Sequence, residues 1–283
     1  MKLNPPAFLP ALLFTSFTAS SVLAGVPSVP ASALVTNGQA KPLREMSTDR
    51  PDKTESAYTV DAGHLQIEAD LITWTRDREH GVAYDALDVA TMNFKFGLTD
   101  SIDFQVVVAS YHYERTRADR VRSTDEGFGD LTLRTKFNVW GNDGGRTALA
   151  IMPVVTLPTA SGDYGVADAE AGIIVPLAVE LAKGWALGLM TELDVVNDED
   201  GSGHTVHVVN SITVGHDLTE KLGMYVEFFS EIPAENTSEW IGTVDVGFTY
   251  AVTENLRLDA GVNVGVTDTA DDLNPFLGIS MRF

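Results

Sequence analysis

The feature that most constrains this chain is an alternation of apolar and polar residues, carried from His64 onward by segments of about ten residues. The clearest segment is LRLDAGVNVGV, whose apolar face comprises Leu256, Leu258, Ala260, Val262, Val264 and Val266. Similar faces occur in LTLRTKFNV, AGIIVPLAVEL, WALGLMTELDV, LGMYVEFFSEI and IGTVDVGFTY, and none of them carries a charge. A charge facing hydrocarbon at mid-depth would cost roughly 2–4 kcal/mol, so contact with lipid would enforce this exclusion. Two positions fit less well: Asp88, which must lie at the extracellular edge of its strand, and Asn210, on a nominally apolar face.

Counting these segments predicts about twelve strands. Their expected ranges are 64–74, 86–98, 102–113, 128–140, 146–157, 169–181, 185–195, 204–217, 222–232, 238–250, 256–266 and 274–283. Short connections alternate with longer ones such as Thr75–Asp85 and Glu114–Gly127, as periplasmic turns and extracellular loops do in membrane barrels. The expected fold is therefore all-β, a transmembrane antiparallel up-and-down β-barrel. The alternative is a soluble β-sandwich or jelly roll, which also alternates.

The two ends of the chain suggest export and closure. Residues 1–24 have one Lys, an apolar core and small residues before the expected cleavage site, which lies between Ala24 and Ala33, and they predict a secretory signal peptide. Residues 25–62 are expected to form a periplasmic N-terminal segment, and residues 63–283 the barrel, in the outer membrane of a Gram-negative bacterium. The last strand would close against the first, and Phe283 is the candidate signal for the barrel-assembly machinery.

Composition narrows the function. The formal net charge of -21 excludes nucleic acid as a partner, because phosphate binding needs a basic face. The chain has no cysteine, so an exported protein of this kind relies on no disulfide. No His lies two residues before a Ser, no phosphate-binding loop is present, and His204 and His207 would lie on opposite faces of one strand. We therefore expect neither catalysis, nor a metal site, nor a cofactor.

Several segments carry a resemblance to a known family. STDRPDKTES followed by AGHLQIE, then GFGDLTLRTKF and MPVVTLPTA, resemble the outer-membrane transporter family labelled "MetA-pathway of phenol degradation". Lys53 and Ala160 depart from the family pattern. The resemblance implies passive uptake or efflux of small organic solutes, including aromatic ones.

The polar faces of the predicted strands supply candidate site residues for such a channel. The expected lumen residues are Arg134, Lys136, Glu192, Asp194, Glu227, Asp245, Arg257 and Asp259. Charged rings in a pore set ion preference, although such groups can equally be the solvated filling of a narrow barrel. Asp49, Arg50 and Asp52 form a candidate gate, in a segment that would either plug the barrel or cap its first strand.

Two other functions remain open from the sequence. One is a structural or adhesive barrel with a closed lumen, and a more remote one is a lipid-modifying enzyme of the outer membrane. The expected partners are outer-membrane lipid and lipopolysaccharide, the barrel-assembly machinery and a small organic solute. The acidic stretches NDEDG and DTADD are interpreted as solvated loop tips, with divalent bridging to lipopolysaccharide as the alternative.

Overall fold

The computed structural model describes residues 42–79, 81–119, 121–161, 165–198 and 203–283. The expected signal peptide and residues 25–41 of the predicted N-terminal segment lie outside these ranges. Within them, no helix is long and apolar enough to cross a bilayer.

Strands account for most of the described chain, and they form one antiparallel sheet. The strands are β1 Leu65–Glu79, β2 Val82–Thr99, β3 Ile102–Ala118, β4 Val121–Gly127, β5 Leu131–Trp140, β6 Thr147–Leu157, β7 Glu170–Ala182, β8 Trp185–Asn197, β9 His204–Asp217, β10 Leu222–Pro233, β11 Ile241–Thr253, β12 Leu256–Gly265 and β13 Leu273–Arg282. A 3₁₀ turn, Thr237–Glu239, precedes β11.

The sheet closes on itself because β1 pairs with both β2 and β13. Phe283 extends the closing pair: its N–H donates to the Leu65 carbonyl at 2.8 Å. Both β4 and β5 pair with β3, at its upper and lower parts respectively, so they act as one strand interrupted at residues 128–130. The molecule is therefore a closed twelve-stranded antiparallel β-barrel, as the alternation predicts.

The barrel exterior is apolar, and many large apolar side chains point outward with 37–68% of their surface exposed. Interior-facing positions are mostly polar, and several of them are completely buried. This inside-out pattern is what a barrel needs in lipid, where hydrocarbon surrounds the outer face. The longer connections, such as those between β6 and β7 and between β12 and β13, lie at one end of the barrel together with the extended hairpins β1–β2 and β3–β4, and the other end has only short turns among the described residues. We assign the end with the longer connections to the extracellular side.

Two of the predicted long loops, Thr75–Asp85 and Glu114–Gly127, are wrong, because most of their residues lie in strands. The hairpin β1–β2 stays paired up to Glu79 and Val82, and the hairpin β3–β4 up to Ala118 and Val121. These extensions leave the apolar band, so their residues are polar on both faces and the alternation that marks the other strands disappears.

A bulge in β1 explains why the second predicted strand fits poorly. The register between β1 and β13 shifts between Asp70 and Ile72, and on β2 the neighbouring Ala90 has a φ of 56°. Asp88 and Thr91 consequently both line an interior cavity, although they are three residues apart. Asp88 is therefore an inward residue, not a residue at the edge of the lipid face as predicted.

Asn210 does face outward, as the sequence predicts, with Thr191 and Ser230 beside it in register. An amide facing hydrocarbon without a partner costs about 1–3 kcal/mol. We therefore expect Asn210→Leu to raise the free energy of unfolding from liposomes by about that amount. Asn263→Leu is the control: Asn263 faces inward and donates to Asn274 at 3.0 Å, so this variant should lose stability. A destabilised Asn210→Leu barrel would contradict the lipid exposure of that position.

Candidate functional site: the barrel lumen

Residues 43–64, called here the lumen segment, lie inside the barrel without regular secondary structure. Both ends of the segment lie near the short-turn end of the barrel. Arg44 Nε donates to Asp61 Oδ1 at 2.7 Å, and Arg282 Nη1 lies 3.2 Å from the other oxygen of the same carboxylate. The segment is therefore a loop inserted from the periplasmic end, with its two ends held together.

Acidic side chains of the barrel wall bind the backbone of this loop. Glu68 on β1 accepts hydrogen bonds from the N–H groups of Asp49, at 2.9 Å, and Arg50, at 3.0 Å. Glu227 on β10 accepts the N–H of Lys53 at 2.8 Å and that of the following residue at 2.8 Å. Buried backbone N–H groups require partners, and these two carboxylates provide them where no neighbouring strand does.

Asp49 lies at the centre of a buried charge cluster. Its carboxylate is 2.5 Å from Lys136 Nζ, 2.6 Å from Lys95 Nζ and 3.9 Å from Arg134 Nη2. Lys136 is 0% exposed and Lys95 is 1% exposed. Burial by itself would raise the pKa of Asp49, but the three cations outweigh it and hold that pKa well below its usual range. Asp49 is therefore ionised and anchors the loop to β2 and β5.

Arg50 anchors the same loop to the adjacent part of the wall, formed by β1, β12 and β13. Its guanidinium binds Asp259 Oδ1 at 2.7 Å, forms an ion pair with Asp70, and lies 5.5 Å from the centre of the Phe276 ring. Residue 278 on β13 is glycine, and a Cβ there would lie 2.2 Å from Arg50 Nη2, so a larger residue would displace the guanidinium from this position.

Two more ion pairs complete the attachment. Lys53 Nζ lies 3.6 Å from Asp245 Oδ2 and 4.3 Å from the centre of the Phe229 ring. Glu55 Oε1 is 2.5 Å from Arg134 Nη1. Opposite charges therefore alternate along the loop. Its cations pair with carboxylates on β1, β11 and β12, and the acids Asp49 and Glu55 pair with cations on β2 and β5.

Asp52 differs from its neighbours because no cation pairs with it among the described residues. Burial raises the pKa of Asp52 well above its usual range, and the nearby carboxylate of Glu227 raises it further. Asp52 lines a cavity between the loop and the barrel wall. A protonated carboxyl at this position can donate a hydrogen bond as well as accept one.

The structure places the eight predicted lumen residues on the interior wall, and most of them contact the loop. Those that contact it are Arg134, Lys136, Glu227, Asp245, Arg257 and Asp259. Arg257 donates to the Met46 carbonyl at 3.1 Å and to Thr48 Oγ1 at 3.2 Å. Glu192 and Asp194 instead share a hydrogen bond with each other. The alternation of polar and apolar residues identified these side chains as interior ones, but it did not predict which residue each of them binds.

An apolar patch on the interior wall was missed by the sequence analysis. Met152, Ile174, Met190 and Val209, from β6 to β9, form a buried cluster, and Phe229 packs against it. We call this the apolar wall. The signal was present in AIMPVV and GIIVPL, whose strands are apolar on both faces. The interior wall is thus charged on β1–β5, whereas β6–β9 carry this apolar patch together with the acids Glu192 and Asp194 of β8.

Cavities lie on both sides of the loop. A cavity of about 430 Å³ opens towards the periplasmic end, where Trp185, His216 and Tyr225 line it with the loop. A second cavity of about 290 Å³ lies towards the extracellular end, between the loop and Asn263, Asn274 and Phe276. Pro51 borders both cavities, so the tip of the loop separates them.

Histidines and acids do not assemble a metal site among the described residues, where no group of three or more has metal-ligand geometry. His207 Nδ1 binds Glu231 at 2.6 Å, and His112 Nδ1 binds Asp88 at 2.7 Å. These pairs belong to the polar lining of the upper lumen.

Several solved structures are similar to this chain at low sequence identity. The NanC porin is 10% identical, the match covers 77% of this chain and 98% of that one, and the TM-score is 0.47. The transport unit of the autotransporter AIDA-I from Escherichia coli is 12% identical over 78% and 90% of the two chains, with a TM-score of 0.47. The CymD monoaromatic hydrocarbon channel is 10% identical over 79% and 89%, with a TM-score of 0.44.

Sequence comparison gives a family but no individual relative. No curated protein matches this chain. The model of the family described as "Putative MetA-pathway of phenol degradation" matches residues 48–283, which include both the tip of the lumen segment and the whole barrel. The chain belongs to that family.

Proposed function

We propose that this protein is an outer-membrane channel through which small organic solutes diffuse passively, with the lumen segment as its gate. The observation that carries the proposal is the pair of cavities of about 430 and 290 Å³ separated by the tip of one loop. The loop is attached mainly by ion pairs and hydrogen bonds to polar groups, which water can replace when the loop moves. Among its apolar contacts, Ala57 and Tyr58 pack against the small residues Ala148, Ala150 and Ala178, which limits the apolar surface that the movement exposes.

The proposed solute class follows from the two sides of the lumen. The apolar wall is buried in the closed lumen, and when the loop moves it offers surface to a hydrocarbon or aromatic group, while the facing side chains offer hydrogen bonds to its polar substituents. The family description, which names phenol degradation, agrees with this class. The excess of carboxylates among the lining residues disfavours anions.

Solute flux into proteoliposomes tests the proposal. Glucose and phenyl glucoside form a matched pair of probes, because they carry the same sugar and differ by one aromatic ring. We expect phenyl glucoside to enter faster than glucose although it is larger, since only its ring can contact the apolar wall. Liposomes containing heat-unfolded protein provide the background rate.

The rival function is a structural barrel with a permanently closed lumen, and the density of buried ion pairs around Asp49 favours it. Rates at background for both sugars, together with no current in planar bilayers, would support this alternative and contradict the channel. A faster flux of glucose than of phenyl glucoside would retain a channel but reject the aromatic preference.

A further inference from the structure

Five arginines lie together on the outside of the barrel, near its extracellular end. They are Arg76, Arg78, Arg115, Arg117 and Arg122, and we call them the arginine patch. The whole chain has only 19 Lys and Arg residues against 40 Asp and Glu residues. A concentration of positive charge on one outer surface of such an acidic protein calls for a physical reason.

Strand register arranges these side chains in two rows across β1–β4. One row contains Arg78, Ala83, Arg117 and Arg122, which are paired in succession. The row below contains Arg76, Asp85, Arg115 and Thr124. Neighbouring strands lie about 4.8 Å apart, so the patch is continuous rather than a set of distant charges.

The row of residues beneath the arginine patch indicates the height of the patch relative to the membrane. That row contains Trp74, Leu87, Tyr113 and Glu126, and Trp74 is 38% exposed on the lipid-facing side. Aromatic residues mark the interface of a membrane barrel. The lower arginine row lies two residues, or about 7 Å, beyond Trp74 along the strand, and the upper row lies four residues, or about 13 Å, beyond it. These distances place the arginines at the level of the lipid headgroups.

The patch contains more donors than the protein uses. Asp85 accepts from Arg78 Nη2 at 2.6 Å and from Arg115 Nη2 at 3.0 Å. The Nε atoms of Arg115 and Arg117 are buried and have no hydrogen-bond partner within the described part of the chain. Arg117 and Arg122 lie directly opposite each other, an arrangement that is destabilising unless an anion lies between them.

We propose that the arginine patch binds the phosphate groups of lipopolysaccharide in the outer leaflet. Guanidinium groups bind phosphate through paired hydrogen bonds, and the two rows present several of them at headgroup height. The patch thus provides direct contact between arginine and phosphate, which differs from divalent bridging by the acidic loops. This inference is independent of whether the lumen conducts solute.

Calorimetric titration of the full barrel in detergent tests the proposal, with deep-rough lipopolysaccharide as the probe and EDTA present to remove divalent bridging. We expect Arg117→Gln combined with Arg122→Gln to weaken binding by roughly 10- to 100-fold and to reduce its salt dependence. The matched control is Arg146→Gln combined with Lys183→Gln. This pair removes the same charge from exposed residues at the short-turn end and should bind within about twofold of wild type.

Two measurements on the wild-type protein decide the question even if the double variant does not fold. Dephosphorylated lipopolysaccharide should bind at least roughly tenfold more weakly than the phosphorylated form, and inorganic phosphate at millimolar concentration should not compete. Equal binding of the dephosphorylated form, or an equal loss in the control variant, would overturn the proposal. Competition by inorganic phosphate would overturn the assignment to lipid.

Discussion

Asp49→Ala is expected to open the channel. The substitution removes the carboxylate that pairs with Lys136 and Lys95. Lys95 keeps its pair with Glu68 at 2.8 Å, but the buried Lys136 loses its ion pair with Asp49, and loss of one partner from a buried ion pair costs about 3–5 kcal/mol. Water can reach these lysines only if the loop leaves the lumen. The cost therefore destabilises the closed lumen relative to the open lumen, and it shifts the equilibrium towards the open lumen by ~100-fold or more. Planar-bilayer recordings should show that the variant is open for most of the time, whereas wild type opens only briefly.

Glu45→Ala is the matched control, because Glu45 is an exposed acid in the same lumen segment. It removes the same charge without leaving a buried lysine unpaired, so its openings should match those of wild type. Recordings in which Asp49→Ala stays as closed as wild type would show that the buried pairs do not hold the gate shut.

Ile174→Thr combined with Val209→Thr should reduce the flux of phenyl glucoside roughly tenfold and leave the flux of glucose nearly unchanged. Both residues belong to the apolar wall, and threonine keeps their approximate size and β-branching while adding a hydroxyl. The aromatic ring of the solute would then lie against hydrated hydroxyl groups, and its free energy of binding would weaken by about 1.4 kcal/mol, which is equivalent to a tenfold loss. Proteoliposome flux of the two sugars measures it.

The neighbouring residues supply the control for this effect. Ile173 and Val208 are adjacent to Ile174 and Val209 in sequence but face outward, so Ile173→Thr with Val208→Thr makes the same chemical change on the lipid side. That variant should transport both sugars at the wild-type rate. Equal losses in the two double variants would place the selectivity outside the apolar wall.

Much of the barrel follows from local sequence, because a strand between lipid and a polar lumen alternates residue by residue. The same parity identified Arg134, Lys136, Glu227 and Asp259 as interior side chains. The prediction failed where the alternation of polar and apolar residues is interrupted. The bulge at Leu71 shifts the register of β1 by one residue, and on the extracellular side of the apolar band both faces of the strands are polar. It also treated every inward residue as polar filling, and so missed the apolar wall.

The path of the lumen segment could not be predicted, because its contacts join positions far apart in sequence. Arg50 and Asp259 are 209 residues apart, and Lys53 and Glu227 are 174 apart. The loop has no periodicity, since its conformation is determined by the surrounding wall rather than by its own backbone hydrogen bonds. The plug and the strand cap were therefore indistinguishable from sequence, although the charges of Asp49, Arg50 and Asp52 marked the segment as a candidate gate.

Thiol accessibility in the folded barrel tests the central claim most directly, namely that the segment occupies the lumen. The protein has no cysteine, so Thr54→Cys introduces a single thiol where Thr54 now contacts Ser211 and Glu227, and Glu45→Cys provides an exposed reference. A maleimide reagent too wide to enter the barrel should label the reference quickly. It should label Thr54→Cys only after unfolding or in combination with Asp49→Ala. Labelling of Thr54→Cys in the folded wild-type background as fast as the reference would contradict the account.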